Sequence, residues 1–508
     1  VNKRTGVIVL AVAGLLLAAC GTRLDDAQFA AKTQAGGGQE AVSGSAQGGG
    51  SGGTGGSTGA TDSTSSVTGG DSGTSGGTTT GGTTPGGASG TTSGGGTTGG
   101  TGGGAGGPNV ASDTGVTATS ISIGTIVAEN GALGDAFAPA ARGIRAWTAW
   151  INANGGINGR HVNLFTCDDG EVRSKTLACA QQLVEQDHVF ALVSTNTRAM
   201  GGAAQYLNDK GIPVLGMPIT NSFYRYPHFW SEYPNGYARN GTTVGFNGQL
   251  VGNTAIAQWF KDNLHVGKAA VFEYDIAESK QAGDEFAQGL KLAGFQVDVY
   301  TVSFAAPSFD QGVASMQQKG TDIIFDSMDD GANRKLCDAM QRRQFKVKAK
   351  VSTPVSMGDA VGTTYNDTCR GSVYIPGFSF AYSNTSIPAI KQFRDAYARY
   401  QPGKPLHQWA LEAWAQGQLF ADGVRSMGGS PTRKGLEAFY RAQKGYTAGG
   451  IWFGLDWQPR DYAAKTGTYC TTIAHWDDSA KRWVDETGST AYCTNAIQYY
   501  APALEQGN

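Results

Sequence analysis

Three sets of residues in this chain are of types that could do chemistry. Two serine motifs, Gly70-Asp71-Ser72-Gly73 and Gly49-Gly50-Ser51-Gly52-Gly53, match local signatures of serine nucleophiles. Cys167-Asp168-Asp169-Gly170 sets a thiol beside two carboxylates, a combination that could bind a metal or move protons. Six histidines stand at His161, His188, His228, His265, His407 and His475. A serine elbow needs a strand before it and a helix after it, and both serine motifs lie in a Gly/Ser/Thr tract that supplies neither. The histidines show no His-x-x-x-His or His-Glu-x-x-His spacing. No other ligand types flank Asp168 and Asp169, so the pair reads as helix-capping, solvent-exposed acids. The residue types argue against an enzyme, and no cofactor or metal is expected.

The elements that could position any site occupy only part of the 508 residues. Lys3 and Arg4 precede an apolar run from Gly6 to Ala19, shorter than the roughly 20 residues of a membrane-spanning helix. This pattern predicts an export signal over 1–19 in preference to a stop-transfer anchor. Leu17-Ala18-Ala19-Cys20 resembles a bacterial lipobox, which implies cleavage before Cys20 and lipidation of Cys20. Residues 20–114 contain one aromatic residue, Phe29, and beyond Lys32 no Lys or Arg until Arg142. Such a chain cannot bury enough apolar surface to offset its ordering entropy, so a disordered linker is expected. As a flexible coil its Gly/Ser/Thr tract would span roughly 45–50 Å.

The remaining residues, from Gly115 on, are too many for one ordinary core and suit two lobes. A net charge of −2 offers no footprint for nucleic acid. The basic run Arg342, Arg343, Lys346, Lys348 and Lys350 reads as a solvated helix end and strand edge. Six cysteines follow Cys20: Cys167, Cys179, Cys337, Cys369, Cys470 and Cys493. An even count in an exported chain suggests disulfides. Six cysteines allow about 15 pairings; the expectation adopted is that neighbours pair and close short loops.

Ile121 to Val127 reads as a strand, and Phe137, Ala140, Ile144, Trp147 and Ile151 recur as one face of a helix. Gly155-Gly156 ends that helix, Asn158-Gly159 turns, and His161 to Cys167 is the next strand. Strands and helices go on alternating, with strands at 189–193, 212–215, 269–274, 295–302, 322–325 and 349–352. A long helix is expected over 241–263, three more near 387–400, 407–426 and 431–443, and strands within 451–495. Alternation of this kind predicts parallel sheets made by βαβ crossovers.

The ordered set GVTATSISIGTIVAENGALG, INANGGINGRHVNLFTCDDG, QQLVEQDHVFALVSTNT, LNDKGIPVLGMP and ALEAWAQGQLFADGVRS resembles the type I periplasmic binding proteins, in their leucine/isoleucine/valine-binding branch. The resemblance implies an α/β fold of two three-layer αβα lobes with parallel sheets, joined by three hinge strands near 229–233, 375–381 and 471–475. Lobe 1 would comprise 115–233 and 377–470, and lobe 2 would comprise 234–376 and 471–508. It also implies a small polar or zwitterionic ligand, such as an amino acid or amide, trapped between the lobes of a monomer. The protein would sit lipid-anchored on the outer face of a bacterial cell membrane and deliver its ligand to an ABC permease. The alternatives that keep the fold are a sensor for a signalling partner and an adhesion protein with a sealed cleft.

Strand carboxyl ends that meet helix amino ends suit a polar ligand. The resemblance places Ser194, Thr195 and Thr197 after the third strand, and Thr220 and Asn221 after the fourth, on the ligand. In the second lobe it departs from the family. A Tyr-Gly pair is replaced by Asp275-Ile276, a family tyrosine falls near Asp329, and the acid that would meet an ammonium falls near Val355. Asp275 and Asp329, with Asp330, are therefore candidate ligand contacts, against the simpler reading that Asp329-Asp330 caps a helix.

Overall fold

The computed structural model describes residues 107–504 except 234–236, 238 and 459–461. The expected signal over 1–19, Cys20 and nearly all of the linker lie outside the described residues. Among the described residues no helix is long and apolar enough to cross a membrane.

Five strands, β1 (Ser120–Ile126), β2 (His161–Cys167), β3 (Ala191–Thr195), β4 (Val214–Gly216) and β5 (Phe229–Ser231), form a parallel sheet in the order β2-β1-β3-β4-β5. Alternate residues of β1 enter different cores. Ile121 and Ile123 pack with Trp147, whereas Ile126 packs with Cys179 and Leu183. Helix Gly134–Ala153 therefore covers one face, helices Arg173–Gln181 and Ala204–Asp209 the other, and the unit has three layers.

The turn that joins helix 134–153 to β2 depends on residues that accept positive φ. Gly156 has φ +72°, and its N–H reaches back 2.8 Å to the carbonyl of Ile151. A Cβ there would lie 1.9 Å from the Arg160 carbonyl oxygen, so only glycine fits. Asn158 and Gly159 follow with φ 50° and 78°. Arg160 is fully buried and donates to the carbonyls of Thr117 and Gly429 and to the Asn109 side chain. The turn thus closes over a guanidinium tied to distant segments.

The second sheet contains β6 (Gln249–Asn253), β7 (Lys268–Tyr274), β8 (Gln296–Val302), β9 (Ile323–Asp326), β10 (Ala349–Val351), β11 (Val373–Gly377), β12 (Thr466–Asp477), β13 (Arg482–Asp485) and β14 (Tyr492–Pro502). Its order is β6-β14-β12-β11-β10-β9-β7-β8, with β13 beside β12. β7 to β11 pair in parallel, but β12, β13, β14 and β6 pair antiparallel. The expected parallel strands make up one side of this sheet, and antiparallel strands from distant parts of the chain make it mixed. The expected helix over 241–263 is corrected, since Gln249–Asn253 is a strand and the helix begins at Ala255. Residues 249–253 pair with 498–502, and a partner so remote in sequence overrides local helical preference.

The chain passes between the two sheets three times, after β5, after β11 and ahead of β12. Between the second and third passages it adds helices Pro388–Tyr400, Gln408–Ser426 and Arg433–Ala442 to the first unit. Helix 408–426 lies directly against helix 134–153. A Cβ on Gly143 would come within 2.2 Å of the Ala410 carbonyl oxygen, and one on Gly417 within 2.4 Å of the Trp147 ring. Disulfides join Cys167 to Cys179, Cys337 to Cys369 and Cys470 to Cys493.

Candidate functional site

The carboxyl end of β3 is irregular. Ser194 has φ +67° and the register with β4 shifts between Val193 and Thr195. Ser194, Thr195 and Asn196 are fully buried, and their side-chain polar atoms have no hydrogen-bond partner among the described residues. Thr197, 2% exposed, accepts the N–H of Ala199 at 3.0 Å as an ordinary local turn. None of these four residues lines a cavity described below.

Thr220 and Asn221 are placed differently. Thr220 lines a small cavity of about 50 Å³ with Arg173, Arg198, Arg225 and Leu504, and its hydroxyl has no partner among the described residues. Asn221 spans that cavity and the main cleft. Its amide exchanges two 3.2 Å hydrogen bonds with Gln281 of the second unit. Leu504 joins both, accepting from Asn221 at 2.8 Å and donating to Gln281 at 2.9 Å. Arg198 also reaches across, stacking 5.7 Å from the Phe304 ring centre while its Nε holds Glu171.

Loops at the carboxyl ends of β7, β9 and β10 form the opposite wall. A buried network sets them. Lys350 Nζ lies 2.7 Å from Asp326, both fully buried, and also donates to Asn333. Asn333 in turn donates to Asp326, to the Met328 carbonyl and to Ser356. The Ser279 hydroxyl accepts the Tyr274 N–H and donates to the Ser327 carbonyl at 2.7 Å. Ser327 and Met328 are held by these bonds, and with Thr353 and Pro354 they line the cleft.

Asp329 lines the cleft but is fully engaged. One oxygen accepts the N–H groups of Gly331 and Ala332, capping helix Asp330–Arg342, and the other accepts the Tyr274 hydroxyl. Asp275 is exposed, accepts the Phe304 N–H at 2.7 Å and does not line the cavity. Val355 lines it as an apolar surface. His407 supports this wall. Burial pushes its imidazole down to about 4, so the ring is neutral, accepts the Trp409 N–H at Nδ1 and places Nε2 3.2 Å from the Val355 carbonyl.

The two carboxylates at the end of β2 lie elsewhere and are not alike. Asp168 gathers the N–H groups of Glu129, Asn130 and Gly170, and these donors hold its carboxyl below the usual range against the opposing effect of burial. Asp169 is corrected from exposed to fully buried. It accepts the Glu171 N–H and the Thr176 hydroxyl, and neither acid supplies the side-chain cap of the next helix.

What the loops enclose is a cleft with two connected chambers. The first, of about 290 Å³, is walled by apolar groups that include Phe137, Met217, Ile219, Ile276, Val355 and Trp409, with Arg198, Glu278 and Asp329 among its charged groups. The second, of about 540 Å³, is walled by Tyr233, Phe286, Phe378, Phe453, Tyr469 and Tyr499. Both chambers touch Tyr224, Glu232, Tyr233, Ala282 and Glu285. Burial pushes the Glu285 carboxyl up to about 8, with Asp284 adding repulsion. Glu232 is 1% exposed and is raised by burial and by the buried Glu412, itself pushed up to about 8 by burial. Reading by strand ends finds Thr220, Asn221 and Asp329, but it misses Glu232, Glu285 and the tyrosines, which carry no local motif.

The model of one family, described as periplasmic binding protein, matches residues 120–481. The chain belongs to that family. Solved structures agree on the fold. A fatty acid ABC transporter substrate-binding protein from Thermomonospora curvata aligns with a TM-score of 0.59 at 15% identity, over 75% of this chain and 95% of that one. A solute binding protein from R. palustris in complex with benzoate gives 0.55 at 16% identity, over 74% and 99%. A leucine binding protein from Thermotoga maritima gives 0.55 at 12% identity, over 74% and 98%. Among curated proteins, Leu/Ile/Val-binding protein homolog 2 of Brucella abortus is 20% identical over 185 residues, 36% of this chain. The match spans about half, 47%, of that relative's length. In this family member the two connected chambers occupy the gap between the sheets.

Proposed function

We propose that this family member is an extracytoplasmic solute receptor that captures a small organic molecule between its two lobes and presents it to an ABC permease. The observation that carries this reading is the cleft itself, an apolar chamber that meets polar groups at both ends and is built from strand-end loops of both sheets. Small-molecule sites are concave and mainly apolar, with a few placed polar groups. The two-way Asn221–Gln281 contact and the Arg198–Phe304 contact are bridges that a ligand stabilising the closed state would favour. Lipidation at Cys20, tethering by the linker and action as a monomer complete the reading, and no covalent chemistry is part of it. The ligand is a small polar or zwitterionic solute with an apolar body.

Native mass spectrometry of the full chain, purified without denaturation from its own host, tests the proposal. A retained small molecule that raises the melting temperature when added back supports it, because a ligand that binds only the folded state must stabilise that state. A clean protein mass, with no stabilisation by any member of a library of amino acids, amides, amines and carboxylic acids, would count against it.

A further inference from the structure

We propose that the ligand presents a protonated amine to the second chamber, held by the carboxyl groups of Glu285 and Glu232 beside the rings of Tyr233 and Tyr499. This assignment deepens the receptor reading and rests on it.

Four observations carry it. Glu285 lines both chambers, and its carboxyl has no hydrogen-bond or ion-pair partner among the described residues. Among the described residues Glu232, almost completely buried, receives only the neutral amide of Gln416 as a side-chain donor. Among the described residues no Lys or Arg lines the second chamber. The first chamber has Arg198, already bound to Glu171 at 2.5 Å. Glu232 is buried and Glu285 half-buried. A carboxyl withdrawn from water is costly to ionise unless a cation meets it, and in the second chamber no lysine or arginine among the described residues does so.

The walls indicate what kind of cation. Among the described residues no group of three or more His, Cys, Asp or Glu could hold a metal ion. Aromatic faces next to carboxylates suit an organic ammonium, which gains from both the ring quadrupole and charge-assisted hydrogen bonds. The rings are held in place. Tyr499 lies across Gly252, where a Cβ would sit 2.3 Å from the ring, and its hydroxyl donates to the Glu285 carbonyl at 2.9 Å. Tyr233 packs edge-on to Phe378 with ring centres 4.4 Å apart. An amine in this chamber leaves the first chamber for the ligand's apolar body.

The experiment is calorimetric titration of the full chain, near neutral pH, with three probes of similar shape: phenethylamine, hydrocinnamate and hydrocinnamyl alcohol. The amine is expected to bind tightest, by about tenfold or more over the carboxylate, and Glu285→Gln to remove about tenfold of its affinity. Circular dichroism checks that the variant folds, and Glu232→Gln offers a second reading of the same loss. Equal or tighter binding of the carboxylate or alcohol overturns the charge assignment and leaves the receptor reading intact. So does amine binding that neither substitution weakens. Failure of all three probes, while a retained solute without an amine is found by mass spectrometry, also overturns the charge assignment alone. Failure of the probes together with a clean protein mass overturns both.

Discussion

Glu285 differs from a surface acid in where its proton sits. Its neighbours are Asp284 on its own helix, Tyr224 and Tyr237 of the first unit's exit segment, and Tyr499 on β14, and none of them carries positive charge. A carboxyl that moves from 4.5 to about 8 on folding holds more protons in the folded state between those values. Stability from this group is therefore complete below about pH 4.5 and declines as pH rises toward about 8. The melting temperature of the ligand-free protein should fall between about pH 5 and 8, and Glu285→Gln should flatten part of that fall. An unchanged slope in the variant would show that the carboxyl titrates normally. Lys350 provides a second test at this scale. With the lysine replaced by methionine, Asp326 is left as an unpaired buried charge, and urea denaturation should register a loss of about 3–5 kcal/mol. A loss below ~1 kcal/mol would mean that the network does not depend on the pair.

At the scale of elements, the contact between helices 134–153 and 408–426 joins two distant parts of the chain into one unit. It is close because Gly143 lets the Ala410 backbone approach and Gly417 leaves room for the Trp147 ring. Gly143→Val should therefore destabilise by about 1–3 kcal/mol, read from the denaturation midpoint, because the Ala410 carbonyl cannot move aside. Most elements were legible in the sequence for a physical reason. β3, β4, β7 and β9 are buried on both faces and read as largely apolar runs, the half-exposed edge strands β2 and β8 alternate, and the helices show apolar and polar faces. β6 was not legible, since its partner β14 lies at the far end of the chain. The site divides in the same way. Thr220, Asn221 and Asp329 stand at strand ends, where topology alone directs attention. Glu232 and Glu285 look like ordinary surface acids in sequence, and only the meeting of two sheets makes them face a cavity.

At the scale of the molecule, the proposed function rests on the gap between two sheets that share three chain passages. Buried networks hold loops facing that gap, and movement of the lobes about the passages is what the receptor reading requires. Ligand shifts such an equilibrium only by its differential affinity for the closed state. Asn221→Ala removes both hydrogen bonds to Gln281 and should weaken binding of any retained solute by about 1–3 kcal/mol, twice the net worth of one neutral hydrogen bond, as seen by calorimetry. The measurement that bears most directly on the whole account is a thermal-shift screen of small solutes on the full chain, alongside the variant Ala282→Trp, whose indole would fill the junction of the chambers. The account predicts at least one solute that raises the melting temperature of the natural protein and leaves that of the filled variant unmoved. A solute that stabilises both equally would place its binding outside the cleft and contradict the central claim.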